Sequence, residues 1–193
     1  MPQRIVKTPA KVLAEIPKEH HPQDECKGCP FGGPRVGSKG NPKSPIVFVA
    51  ESAGGDEART GIPLVGASGK AFHHFVPNDG SIYILNALEC NPPRSRKTEE
   101  RIEEATQCCH PRMVDKVTQH PRRIIVAMGN VAVRSLTGDP SLKITQIRGR
   151  LIPSPYAELG ILPVVHMAAL MRGTGSFRQW REDIAYALEL GNG

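Results

Sequence analysis

Residues 46–57 read Ile46-Val47-Phe48-Val49-Ala50-Glu51-Ser52-Ala53-Gly54-Gly55-Asp56-Glu57. Five apolar residues in a row are too few for a helix and lack the alternation of a half-exposed strand, so they suit a strand buried on both faces. The run stops at a carboxylate and a glycine pair, which is how a loop begins. Three similar runs occupy residues 82–88, 124–128 and 161–165. Helical signals lie between and after them. Residues 68–75 follow a glycine, Thr98 caps a run with Ile102, Ala105 and Cys109 on one face, and 130–136 and 177–190 complete the set. Pro111 is read as the first turn of a separate helix. Strands alternating with helices predict an α/β fold with three αβα layers around a central, mostly parallel four-stranded sheet.

The rest of the 193-residue chain agrees with one such domain over residues 26–193, preceded by a flexible arm over residues 1–25. A hydrophobic share of 39% supports one real core and excludes a wholly disordered chain. With 19 glycines and 18 prolines, long irregular connections are expected, and residues 30–45 are read as loop throughout. No run approaches the ~18–20 apolar residues of a membrane span. Residues 1–21 carry no apolar core of signal-peptide type, which predicts a cytoplasmic protein, expected to be a monomer away from membranes. The net charge of +6 leaves two readings open, a surface charged for solubility and a polyanionic partner such as nucleic acid.

Five cysteines are an odd number for a disulfide framework. Cys26 and Cys29 form a C-x-x-C pair, Cys90 follows alone, and Cys108 and Cys109 are adjacent. A close pair with two distant ligands reads as a structural metal site, either zinc or iron–sulfur. In a parallel sheet, ligands bind beyond the carboxyl ends of the strands. There the sequence places Glu51 after the first run, Asn86 at the end of the second and His166 after the fourth.

These segments together resemble the family 4 uracil-DNA glycosylases, which carry a 4Fe–4S cluster. The family's C-x-x-C with a Gly/Pro-rich stretch is matched by residues 26–42. Its G-E-A-P-G segment, followed by acidic residues and G-x-P-F-V-G, is matched by residues 50–66. Its N-x-x-K-C-x-P-P-x-x-R segment is matched by Asn86, Cys90, Pro92, Pro93 and Arg96, and its C-x-P step by Cys109 and Pro111. Gly129 with Ala132, Arg148-Gly149, and the H-P-A-x-L-L-R segment at residues 166–172 complete the resemblance, which spans roughly residues 26–188.

The resemblance implies hydrolysis of the N-glycosidic bond of uracil in DNA, leaving an abasic site for base-excision repair. His166 is then the donor to uracil O2, and Asn86 reads the Watson–Crick edge. Glu51 positions water and balances the sugar cation, while Glu57 crowds the C5 position and Ser52 lies beside the base. The resemblance further implies DNA contacts from Gly66 and Ser68 at a helix start, from Arg96, Arg148, Arg150 and Arg172 on phosphates, and from Leu170 and Met171 as an apolar wedge. Cys26, Cys29, Cys90 and Cys109 become the cluster ligands. Cys109 is chosen over Cys108 because it matches the family step and shares a helix face with Ile102 and Ala105.

The chain also departs from the family pattern. Ala50 replaces the first glycine, Ser52-Ala53 replace a step ending in proline, and Met167 replaces the proline after the histidine. Leu64 stands where the family has the phenylalanine that stacks on uracil. Base–aromatic stacking contributes roughly 1–3 kcal/mol, so weaker uracil binding is expected, with Phe72 and Phe75 read as core. Two other readings therefore stay open, the same fold acting on another modified base and a catalytically weak iron–sulfur protein that binds DNA.

Overall fold

The computed structural model describes residue 26 and residues 28–193; the expected arm over residues 1–25 lies outside the described residues. Five strands form one sheet in the order β1-β3-β2-β4-β5. They are β1 (Lys39–Gly40), β2 (Ile46–Ser52), β3 (Tyr83–Leu88), β4 (Ile124–Met128) and β5 (Ile161–Val164). The last four are parallel, with Ala50 opposite Asn86, Val49 opposite Ala127 and Met128 opposite Val164. Every residue of β3, β4 and β5 is buried, as are the first five of β2, so the continuous apolar runs are strands covered on both faces.

The helices that cover them are α1 (Gly55–Thr60), α2 (Ala67–His73), α3 (Glu99–Thr118), α4 (Asn130–Thr137), α5 (Ile144–Ile147), α6 (Met167–Met171) and α7 (Phe177–Asn192). Thr98 caps α3 as expected, its side chain accepting from Arg101 N. No helix of the described residues is long and apolar enough to cross a membrane.

Two expectations are corrected. The sheet has a fifth strand, because Lys39–Gly40 pairs antiparallel with β3 inside the stretch read as loop. That pairing depends on glycine: Gly40 has φ +89°, and a Cβ there would stand 2.1 Å from Ile82 O. Only a residue without a side chain lets the backbones approach so closely. Pro111, expected to begin a new helix, lies inside one continuous α3. Interior proline costs about 3 kcal/mol, but the buried face Ala105, Cys109, Met113, Val114 and Val117 keeps its helical spacing on both sides of it. Burial of that face outweighs the lost hydrogen bond.

The two ends of the sheet differ in use. At the amino end Arg122 is buried and donates to the carbonyls of Pro42, Ser44, Lys116 and Val117. At the carboxyl end the chain leaves β2 for β3 on one side, then crosses to β4 on the other. A crevice opens at such a reversal.

Candidate active site

Glu51 is the carboxylate of that crevice. It lies at the end of β2 and its Oε1 accepts from Val131 N at 3.1 Å, in the first turn of α4. The amino end of a helix favours negative charge. The approach requires Gly129, φ +92°, where a Cβ would stand 2.4 Å from Glu51 Oε1. Glu51 is thus held from β2 across to the end of β4.

Asn86 sits in β3 opposite Ala50 and is 3% exposed. Its Nδ2 is buried and has no hydrogen-bond partner among the described residues. An amide donor left unsatisfied in a core costs about 1–3 kcal/mol, and a fold retains such a group where a ligand completes it.

His166 follows β5 and caps α6, its Nδ1 accepting from Ala168 N at 3.2 Å. With Nδ1 an acceptor, the neutral ring carries its proton on Nε2. Burial lowers the imidazole pKa below its ordinary value, with Glu51 pulling the other way and Arg172 and Lys97 reinforcing the drop. The ring is a neutral donor electrostatically linked to Glu51.

A carboxylate, an amide with a free donor and a neutral imidazole therefore stand at the carboxyl ends of β2, β3 and β5. The family model described as the uracil DNA glycosylase superfamily matches residues 38–188. The chain belongs to that superfamily. It is 30% identical over 188 residues to the type-4 uracil-DNA glycosylase of Sulfurisphaera tokodaii, covering 92% of this chain and 84% of the relative. It is 31% identical over 158 residues to that of Thermotoga maritima, covering 77% and 79%, and 26% identical over 183 residues to that of Pyrobaculum aerophilum, covering 89% and 92%.

Within this superfamily fold, the loop from α1 to α2 is braced from below. Glu57 is buried, and its Oε1 accepts from Val65 N at 3.1 Å and Gly66 N at 2.9 Å. The Gly66 amide, expected on a DNA phosphate, is therefore already engaged, and Glu57 acts on the shape of the loop. Leu64, in that loop, has φ +53° and is 6% exposed; its carbonyl presses on Gly69, where a Cβ would stand 2.1 Å away. Ser68 is half-buried in the first turn of α2, and Ser52 is half-buried opposite Leu88. Phe72 is fully buried and Phe75 packs against the core, as expected.

The rim carries the cations. Arg96, Arg150 and Arg172 are exposed, and Arg96 Nη2 donates to Phe31 O at 3.3 Å. Lys97, exposed beside Arg96, acts electrostatically on His166, and no motif pointed to it. Arg148 corrects the expectation of a phosphate ligand. Its Nε and Nη2 lie 2.9 and 2.6 Å from Asp183 Oδ2, and its Nη2 also donates to Gln179 O, so it fastens α7. Leu170 is half-buried against the core, whereas Met171 is 55% exposed.

The cysteines gather beside α3 and α4. Cys90 and Cys109 are buried with Phe31, Leu88 and Ala105, and Cys29 packs against them. Cys26 and Cys29 share a turn, Cys29 N donating to Cys26 O at 3.3 Å. All five cysteines are free thiols. Among the described residues no three potential ligands converge closely enough to hold an ion as they are placed.

The chemistry of the donor set nevertheless fits a thiolate-held group. Burial pushes the Cys109 thiol up to about 11 and raises Cys90, so both need a positive partner to ionise. Arg112 Nη2 donates to Cys109 Sγ at 3.4 Å, and its Nε donates to Glu89 Oε2 at 2.6 Å. A void of about 500 Å³ lined by Ile102, His110, Pro111, Val131 and Arg134 lies beside this cluster and contains none of the three crevice residues.

Proposed function

We propose that the chain hydrolyses the N-glycosidic bond of uracil in DNA, releasing the base and leaving an abasic site, and that it acts as a single chain. The buried, unpartnered Nδ2 of Asn86 carries this reading, because a uracil extruded from the strand completes it. Nδ2 donates to uracil O4 and Oδ1 accepts from N3–H. Cytosine offers an amino group and an acceptor at those positions, so the same amide leaves buried groups unpaired. As the C1′–N1 bond stretches, His166 Nε2–H donates to O2, where negative charge collects. Glu51, steadied by Val131 N, faces the cationic sugar and orients the attacking water. Ser68, Arg96, Lys97 and Arg172 engage the strand, with Leu170 and Met171 at the gap left by the base.

Uracil-containing single strands and duplexes, treated with the protein and then with alkali, break at the uracil. Intact strands at stoichiometric protein exclude this function. Leu64 favours a second reading, a base of another shape, since a buried leucine offers no ring for stacking. The two separate on Leu64→Phe. If uracil is the substrate, kcat/KM for uracil rises about tenfold, in the range of one base–aromatic stack. If another base is the substrate, a panel of damaged bases contains one cleaved far faster by the wild type.

Cys26, Cys29, Cys90 and Cys109 hold a structural 4Fe–4S cluster in this proposal, with zinc as the alternative. Four cysteines close the coordination sphere, so the group supports the Pro92-Pro93 loop and takes no part in hydrolysis. Anaerobically purified protein is expected to be brown with broad absorbance near about 400 nm, a colour lost in Cys109→Ser and kept in Cys108→Ser. Colourless wild type with one equivalent of zinc assigns zinc instead.

A further inference from the structure

Among the described residues the exposed large apolar side chains are Ile62, Met171 and Phe177, and of these Phe177 alone is aromatic. It opens α7, 43% exposed, in a chain whose aromatic content is 5%. The ring packs on Phe75, with centroids 5.2 Å apart at 70°, and on Trp180, with centroids 5.8 Å apart at 30°. The ring is thus held rigidly while part of it faces solvent. Two arginines neighbour it on α7. Arg181 lies over the Phe75 ring at 5.6 Å, and Arg178 is 89% exposed and pairs with Glu182 on the same helix, itself 61% exposed. A shallow hollow is lined by Phe177, Arg178, Arg181, Glu182 and Ala185.

The position of this patch is fixed relative to the crevice. After α6 the chain is strapped back, Thr174 N donating to Ala169 O at 2.9 Å. Gly175, φ +91°, then passes Leu170 and Val165, where a Cβ would stand 3.4 and 3.6 Å from their side chains. Val165 immediately precedes His166, and Phe177 lies two residues beyond Gly175. The patch therefore continues the rim that already holds Met171 and Arg172.

We infer that Phe177, with Arg178 and Arg181, is a stacking platform for a base of single-stranded DNA flanking the extruded nucleotide. A packed ring with two arginines beside it on the same helix matches what a sequence-independent single-strand surface needs, a π face for the base and cations for the phosphates. The platform supplies on the strand the stacking that Leu64 does not supply on the base. This inference rests on the proposed action on DNA.

The test is fluorescence anisotropy at one fixed salt concentration with a 15-nucleotide single strand containing a central uracil, alongside kcat at saturating strand. Phe177→Leu keeps apolar volume and removes the ring, whereas Phe177→Tyr keeps the ring. Phe177→Leu is expected to weaken single-strand binding about tenfold, with kcat retained and Phe177→Tyr close to wild type. Phe177→Leu binding as tightly as wild type overturns the inference. So does a fall in both variants, or a loss of kcat alongside affinity, since either marks a packing role. If the wild type releases no uracil, the functional proposal fails while the anisotropy series still judges the platform.

Discussion

Replacing His166 with alanine is expected to lower kcat for uracil release by about 10²–10³-fold, the cost of removing one preorganised donor to a developing anion, with KM changed little. The ring's state follows from its surroundings. Ala168 N–H points at Nδ1, so a second proton there would set two donors against each other. Burial acts in the same direction, holding the pKa below 6.5 against the opposing pull of Glu51.

The wild type therefore keeps a neutral imidazole at pH 7, and the acid limb of its kcat profile falls below pH 6.5. His166→Ala lacks that limb. The same shift links to folding. The unfolded chain takes up this proton near 6.5 and the folded chain only at lower pH, so the contribution to stability is complete above 6.5 and is lost as pH falls through the folded value. An alanine variant within threefold of wild type, or a kcat limb at or above 6.5, removes His166 from the chemistry.

What could be read from the chain before its coordinates divides by the range of the interactions involved. The four parallel strands announce themselves because a strand buried on both faces must be apolar at every position. Glu51, Asn86 and His166 were legible for a related reason, as polar residues placed where such strands end. Thr98 was legible because an N-cap is a local device.

The misses are long-range. Gly40 makes a strand only because Ile82 lies beside it, and nothing near Gly40 in sequence says so. Pro111 stays helical because the apolar face on both sides of it finds a core. Arg148 meets Asp183 35 residues away, so a basic residue that resembles a phosphate ligand turns out to be an internal tie. Glu57 reaches Val65 and Gly66 through a loop whose turn the sequence leaves open. Lys97 is one of 25 basic residues, and only its effect on His166 singles it out.

Asn86→Leu separates function from stability in opposite directions. A buried polar residue that serves the fold is bonded to it, and its loss destabilises. Asn86 Nδ2 has no hydrogen-bond partner among the described residues. Leucine fills nearly the same volume and removes that unsatisfied donor, so stability in urea denaturation is expected to rise by about 1 kcal/mol, the low end of what an orphaned group costs. Alanine would confuse the result by leaving a cavity.

Activity moves the other way. Uracil entering the variant brings O4 and N3–H into a desolvated pocket without partners, and at about 1–3 kcal/mol for each group the fall in kcat/KM is on the order of 10³-fold. Stabilisation with loss of turnover is the signature of a group retained for its ligand alone. A variant that unfolds more readily yet still releases uracil would show instead that the amide serves the core, and the discrimination against cytosine would then have to arise elsewhere in the crevice.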